Sequence, residues 1–132
     1  MKLFLYGVLQ RNLASPAIAR LLEGLGEGEP ASAAGTLYAV PDARGWYPVL
    51  VPGDGRVHGT LCNAGTVDLA ALDVFEGIEY RRSPIVATPS GRKADRAEAY
   101  LYQFAPRPDF LPIEHGDFAR WLRETGRTAL SG

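Results

Sequence analysis

Glu76 sits where an amphipathic helix would ordinarily place an apolar residue. Reading Thr66 to Glu76 as a helix puts Leu69, Leu72 and Glu76 on one face, at the i, i+3, i+7 spacing. That face should point at a core. A carboxylate aimed there is either paired with a cation or kept for proton transfer. Arg81 and Arg82 follow closely in the chain, so a buried Glu–Arg pair is the simpler reading of Glu76 alone. A second candidate is Tyr6-Gly7-Val8-Leu9-Gln10, an apolar strand that runs into glycine. Glycine there lets the backbone turn sharply and present successive N–H groups to an anion or a carbonyl. A plain strand-to-loop turn explains the same residues.

Other chemistries find little support. The two histidines, His58 and His115, are far apart and belong to no H-x-x-x-H or C-x-x-C pattern. No G-x-S-x-G elbow is present, and Gly24-Leu25-Gly26-Glu27-Gly28 has the wrong spacing for a nucleotide loop. Cys62 is the single cysteine and lies in an expected strand, where it reads as a small buried hydrophobe in a reducing compartment. The formal net charge of −1 gives no general attraction to nucleic acid or anionic membrane. Arg81, Arg82, Arg92, Lys93 and Arg96 make only a mild basic cluster, so no nucleic-acid partner is expected. The N-terminus lacks a signal-peptide pattern, and no apolar run has the length of a membrane span. A cytoplasmic protein with no membrane partner is the expectation.

The elements that must position these residues follow from period and punctuation. With 132 residues the chain is long enough for one domain, residues 1–132, with a sizeable core. Leu3 to Tyr6 reads as a central strand, apolar on both sides. Ser15-Pro16 starts a helix carrying Ile18, Leu21, Leu22 and Leu25. Residues 26–31 read as loop, and Gly35 to Val40 as a strand. Tyr47 to Val51 is a strand with Pro48 inside it, which predicts an edge or a bulge. Pro52-Gly53-Asp54-Gly55 predicts a hairpin reversal into Val57 to Asn63. Thr66 is the expected cap of the Glu76 helix, which Gly77 ends. Tyr80 to Thr88 and Ala97 to Phe104 flank a polar turn, residues 105–113 are Pro-rich loop, and Asp117 to Thr125 is a last helix. About six strands and three helices without βαβ alternation predict an α+β domain with a curved or barrel-like sheet.

The ordered set of motifs narrows this further. Tyr6-Gly7-x-Leu9, Gly35-x-Leu37-Tyr38, Tyr47-Pro48-x-Leu50-Val51-Pro52, Val57-x-Gly59-x-Leu61 and Leu72-Asp73-x-Phe75-Glu76-Gly77-x-x-Tyr80-x-Arg82 resemble the gamma-glutamylcyclotransferase-like family in order and spacing. The Ala99 to Tyr102 strand and the Gly116-Asp117-Phe118 helix start resemble its C-terminal part. The resemblance implies a small mixed β-barrel with flanking helices. It also implies that the Tyr6, Gly7, Val8 and Leu9 loop, with Tyr47, binds a small-molecule γ-glutamyl substrate, and that Glu76 transfers protons. The implied reaction releases 5-oxoproline and an amine or amino acid from a γ-glutamyl amide, with no cofactor and no metal, in a monomer or homodimer. Two positions depart from the family pattern. Val8 stands where Ser or Thr is usual, and Gln10 where a basic residue is frequent. Val8 removes a hydroxyl and leaves the backbone donors, so a non-catalytic member that binds a metabolite or a protein remains the second reading.

Overall fold

The computed structural model describes residues 1–131. In chain order the elements are β1 (Lys2–Leu5), α1 (Pro16–Leu21), β2 (Gly28–Val40), β3 (Tyr47–Asn63), α2 (Leu69–Glu76), β4 (Tyr80–Pro89), β5 (Asp95–Tyr102), β6 (Leu111–Pro112) and α3 (Phe118–Thr125). The strands run in the order β3-β1-β5-β4-β2-β6, and β3 also pairs with β2. That extra pairing closes five strands into a ring. The ring is mixed, because β1 lies parallel to β5 while its other pairings are antiparallel. Closure leaves the ring without a free edge strand. The short β6 shares one edge of β2 with β4, pairing at Tyr38 and Ala39. The fold is therefore α+β: a small mixed barrel with three helices among the described residues.

β1 is central, as its apolar run predicts. It is held by β3 on one side and β5 on the other, and Leu3, Phe4 and Leu5 are buried. Ser15 caps α1 by accepting a hydrogen bond from the Ile18 N–H, with Pro16 at the first helical position. The stripe of α3, Phe118, Trp121 and Leu122, is buried against the barrel core.

Three expectations are corrected. Residues 28–31 are strand, because Gly28 to Ala31 pair with Cys62 to Gly59 of β3. The local breakers Gly28 and Pro30 are overridden by a partner strand far away in sequence. Pro52 to Gly55 do not reverse the chain. They bulge out of a continuous β3 opposite Gly35, where the register shifts from Ala34↔Arg56 to Thr36↔Val51. The long β2 pairs with β3 on both sides of the bulge and carries the strand on in the same direction. Asp68, not Thr66, caps α2; its carboxylate accepts from the Ala71 N–H at 3.0 Å. The Thr66 N–H is engaged with the Gly24 carbonyl instead, at 2.9 Å.

Candidate active site

The loop after β1 and the last turn of α2 face each other across a cavity of about 330 Å³. Tyr6, Gly7, Val8, Leu9, Tyr47 and Glu76 all line it. Pro48, Phe75, Tyr80 and Tyr100 complete the walls, with Asp42, Arg44 and Glu79 also exposed to it. The C-terminal segment pins the turn that carries Asp42 and Arg44. Leu130 N–H donates to the Trp46 carbonyl at 2.8 Å and Ser131 N–H to the Arg44 carbonyl at 3.2 Å.

α2 brings Glu76 to the cavity at its C-terminus. Leu72, one turn earlier, is buried and fixes which face turns inward. Gly77 then ends the helix with φ at +85°, a conformation that strains any residue with a Cβ, while its N–H still donates to the Asp73 carbonyl. Among the described residues Glu76 makes no ion pair and accepts no hydrogen bond. No fully buried side-chain nitrogen or oxygen among them lacks a partner. The unpaired carboxyl oxygens of Glu76 therefore keep access to solvent through the cavity. Burial alone pushes the carboxyl up from 4.5 to about 8.

The ion pair expected for Glu76 belongs to Asp73. Arg82 Nε and Nη2 donate to the two Asp73 oxygens at 3.0 and 3.2 Å, and Arg82 Nη1 donates to Glu98 at 2.6 Å. Asp73 also accepts from the Tyr100 hydroxyl at 2.6 Å. The Arg82 bonds, followed by Tyr100, hold the Asp73 carboxyl below its usual range. All three Arg82 guanidinium nitrogens are thus engaged, two of them on Asp73, one helical turn before Glu76. Asp73→Ala is expected to free Arg82 for Glu76 and draw the Glu76 titration below about 8. The measurement is the Glu76 side-chain carboxyl ¹³C shift followed against pH. A midpoint unmoved in the variant would show that Glu98 alone holds Arg82.

Tyrosines make the rest of the polar wall. The Tyr6 hydroxyl donates to the Tyr100 carbonyl, and the Tyr80 hydroxyl donates to the Pro48 carbonyl at 3.0 Å. Burial, followed by neighbouring acidic groups and phenols, raises Tyr80, and burial with the Glu76 charge raises Tyr6. Both stay neutral donors across the range in which Glu76 titrates. Burial and then Glu79 raise Tyr47 as well.

The loop opposite supplies backbone donors. Gly7, Val8 and Leu9 are buried, yet among the described residues their N–H groups donate to no protein acceptor. Buried N–H groups without partners are rare, and where they line a cavity they mark a place for an anion or a carbonyl oxygen. Gly7 is needed for a different reason than a sharp turn. Its φ is not positive. A Cβ on it would lie 2.6 Å from Pro48 Cγ and 2.8 Å from Pro48 Cδ, so glycine lets the loop press against β3.

Sequence reasoning assembled the loop, Tyr47 and Glu76, but it did not assign Tyr80 and Tyr100 to the site. The signal was there in alternation. Tyr80-x-Arg82 and Tyr100-x-Tyr102 lie on paired strands, with Arg82 opposite Tyr100, and in a closed barrel one parity of each strand faces inward. Cys62 is buried, and burial raises its thiol, as for a packed hydrophobe.

A model of the family described as gamma-glutamyl cyclotransferase, AIG2-like, matches residues 3–121, and the chain belongs to that family. Among known proteins, the gamma-glutamylcyclotransferase family protein YtfP of Escherichia coli K12 is 40% identical over 80 residues. Those residues are 59% of this chain and 63% of that protein, so the match spans less than two thirds of the relative's length. The solution structure of ytfP from Escherichia coli superimposes with a TM-score of 0.59 at 30% identity, over 95% of this chain and 99% of that one. An AIG2-like protein from Mus musculus gives a TM-score of 0.68 at 23% identity, over 89% and 86% of the two chains, and this likeness bears on the fold alone. No helix among the described residues is long and apolar enough to cross a membrane.

Proposed function

We propose that the chain is a cyclotransferase that converts a γ-glutamyl amide into 5-oxoproline and a free amine or amino acid, with Glu76 as general acid and base. The observation that carries this reading is the unpaired Glu76 carboxyl, raised to about 8, opening on a cavity whose far wall is the Gly7 to Leu9 backbone.

The chemistry uses both walls. Seated beside Glu76, the substrate's α-ammonium favours the ionised form of that carboxyl, and the carboxylate then takes a proton from the ammonium. The freed amine attacks its own γ-carbonyl carbon, forming the ring C–N bond. The bond to the leaving nitrogen breaks as that nitrogen takes the proton back from Glu76; the ring nitrogen then gives its excess proton to the Glu76 carboxylate, which passes it to the released amine or to solvent. Raised to about 8, the Glu76 carboxyl takes a proton from an α-ammonium at far smaller cost than an ordinary carboxylate would, and its pKa lies close to neutrality, where general acid–base catalysis is most effective. Ring closure is intramolecular, so holding the glutamyl part bent supplies much of the acceleration. The free N–H groups of Gly7, Val8 and Leu9 suit the substrate carboxylate or the developing oxyanion.

The test is 5-oxoproline release across a panel of γ-glutamyl amides, each paired with its α-N-acetyl analogue. Turnover of the free amines and none of the acetylated ones is expected, since acetylation removes the nucleophile. Tight binding of the whole panel without product would favour the non-catalytic reading that Val8 motivates.

A further inference from the structure

The Gln10 side chain stands outside the chemistry just described, although it is the one buried polar side chain among the described core residues. Two donors converge on the Gly7 carbonyl oxygen. The Gln10 backbone N–H donates to it at 3.1 Å, closing a turn, and the Gln10 side-chain Nε2 donates at 3.3 Å. The other end of the same amide is anchored, because Gln10 Oε1 accepts from the Thr60 hydroxyl of β3 at 3.0 Å. Gly7 O can only accept, so the amide must present its NH₂ to it, and the assignment of its two ends is fixed.

This fixes more than a turn. No peptide bond among the described residues is cis. In a trans peptide the C=O of one residue and the N–H of the next point in opposite directions. With Gly7 O held toward Gln10, the Val8 N–H must point the other way. Val8 lines the cavity, and its N–H has no protein partner.

The geometry points to Gln10 as a positioning residue: it locks the Gly7–Val8 peptide plane so that the Val8 N–H is presented to an anionic group of the substrate. The inference rests on the proposed reaction for its substrate, but not for its geometry. It also gives Gln10 a task in a chain whose loop lacks a hydroxyl at position 8. A loop without that hydroxyl relies on its backbone donors, and those are only as good as the peptide orientation.

Gln10→Glu is the sharpest test, because it changes one atom of the clamp from donor to acceptor. The retained oxygen still accepts from Thr60, but the new oxygen takes the place of Nε2 and, when ionised, faces Gly7 O with like charge, which favours a flipped peptide. In the free protein, the Gly7 carbonyl ¹³C and Val8 amide shifts are expected to move at neutral pH and to return as the introduced carboxyl protonates and donates again. In turnover, kcat/KM is expected to fall by about 10²-fold, the lower end for loss of one oriented donor, with the ratio to the unmodified protein partly recovering at low pH. A fall carried by KM would place the Val8 N–H on the bound carboxylate; one carried by kcat would place it on the oxyanion. Gln10→Leu should lose the donor at every pH and show no recovery. Should Gln10→Glu fold poorly, Thr60→Val loosens the same amide and is expected to give the same shifts at smaller amplitude. Unmoved Gly7 and Val8 shifts in these variants would overturn the inference, whether or not any γ-glutamyl amide is turned over. Equal losses in Gln10→Glu and Gln10→Leu without low-pH recovery would do the same, by reducing Gln10 to packing. Absence of turnover in the unmodified protein, with the shifts moving as described, would count against the reaction alone.

Discussion

Glu76→Gln is expected to abolish turnover and to make the protein more stable at the same time. Loss of a positioned general acid and base lowers kcat by about 10²- to 10⁴-fold. The change keeps the shape of the side chain, so substrate or product binding should survive. The stability effect follows from the raised carboxyl, pushed up to about 8 in the fold against 4.5 for an ordinary glutamate. Between those values the native protein holds a proton that the unfolded chain has released. Its stability therefore falls as pH rises through that window and levels off above it. Glutamine carries no such proton, so the gain from the variant is absent in acid and grows from about pH 4.5 to about pH 8. At about 1.4 kcal/mol per pKa unit, it reaches on the order of 3–5 kcal/mol. Denaturant melts of both proteins across this range, beside 5-oxoproline assays, measure the two effects together. Equal turnover in the variant would sink the catalytic role. A stability difference that does not change with pH would sink the raised pKa.

The second large effect is expected from Gly7→Ala. Its backbone conformation suits alanine, because φ is not in the left-handed region, so the substitution tests space alone. The added methyl would sit 2.6 Å from Pro48 Cγ, well inside contact distance. Pro48 has little freedom to retreat. It pairs with Ala39 in β2, and its carbonyl accepts from the Tyr80 hydroxyl. β1 behind the loop is held on both sides by β3 and β5. The loop itself must move, and a displacement approaching 1 Å at a reacting group costs about 10²-fold in rate. The expected result is a fall in kcat/KM of about that size with the melting temperature lowered only modestly. Wild-type kinetics in Gly7→Ala would show that the approach of the loop to β3 does not set the donor positions.

The parts of this molecule that were readable in sequence are those governed by local periodicity. Glu76 shares a face with Leu69 and Leu72 whatever surrounds the helix, and that alone marks it as unusual. Gly77 and Ser15-Pro16 punctuate their helices as their types require. What could not be read was partner choice. Arg82 is near both Asp73 and Glu76 in sequence, and Asp73 wins because it meets the guanidinium with two oxygens while Glu98 takes the third nitrogen. The same limit explains Pro52 to Gly55. Their local signal is a reversal, but β2 pairs with β3 on both sides of them, so the chain bulges and goes on. Tyr80 and Tyr100 were legible as strand residues but not as cavity walls, since only barrel closure decides which parity faces the space inside.

The occupied state of Arg82 has one more consequence. With its charge spent on Asp73 and Glu98, and with Glu76 holding its proton to about 8, neither Arg82 nor Glu76 brings a fixed charge to the cavity at neutral pH, and its fixed charges are those of Asp42, Arg44 and Glu79. Its two poles are latent. One is a carboxyl that becomes an anion when a cation arrives beside it. The other is a row of N–H dipoles that wait for negative charge. For the reaction proposed above, such a chamber suits a zwitterion, and a ligand with only one of the two charges would satisfy only half of it.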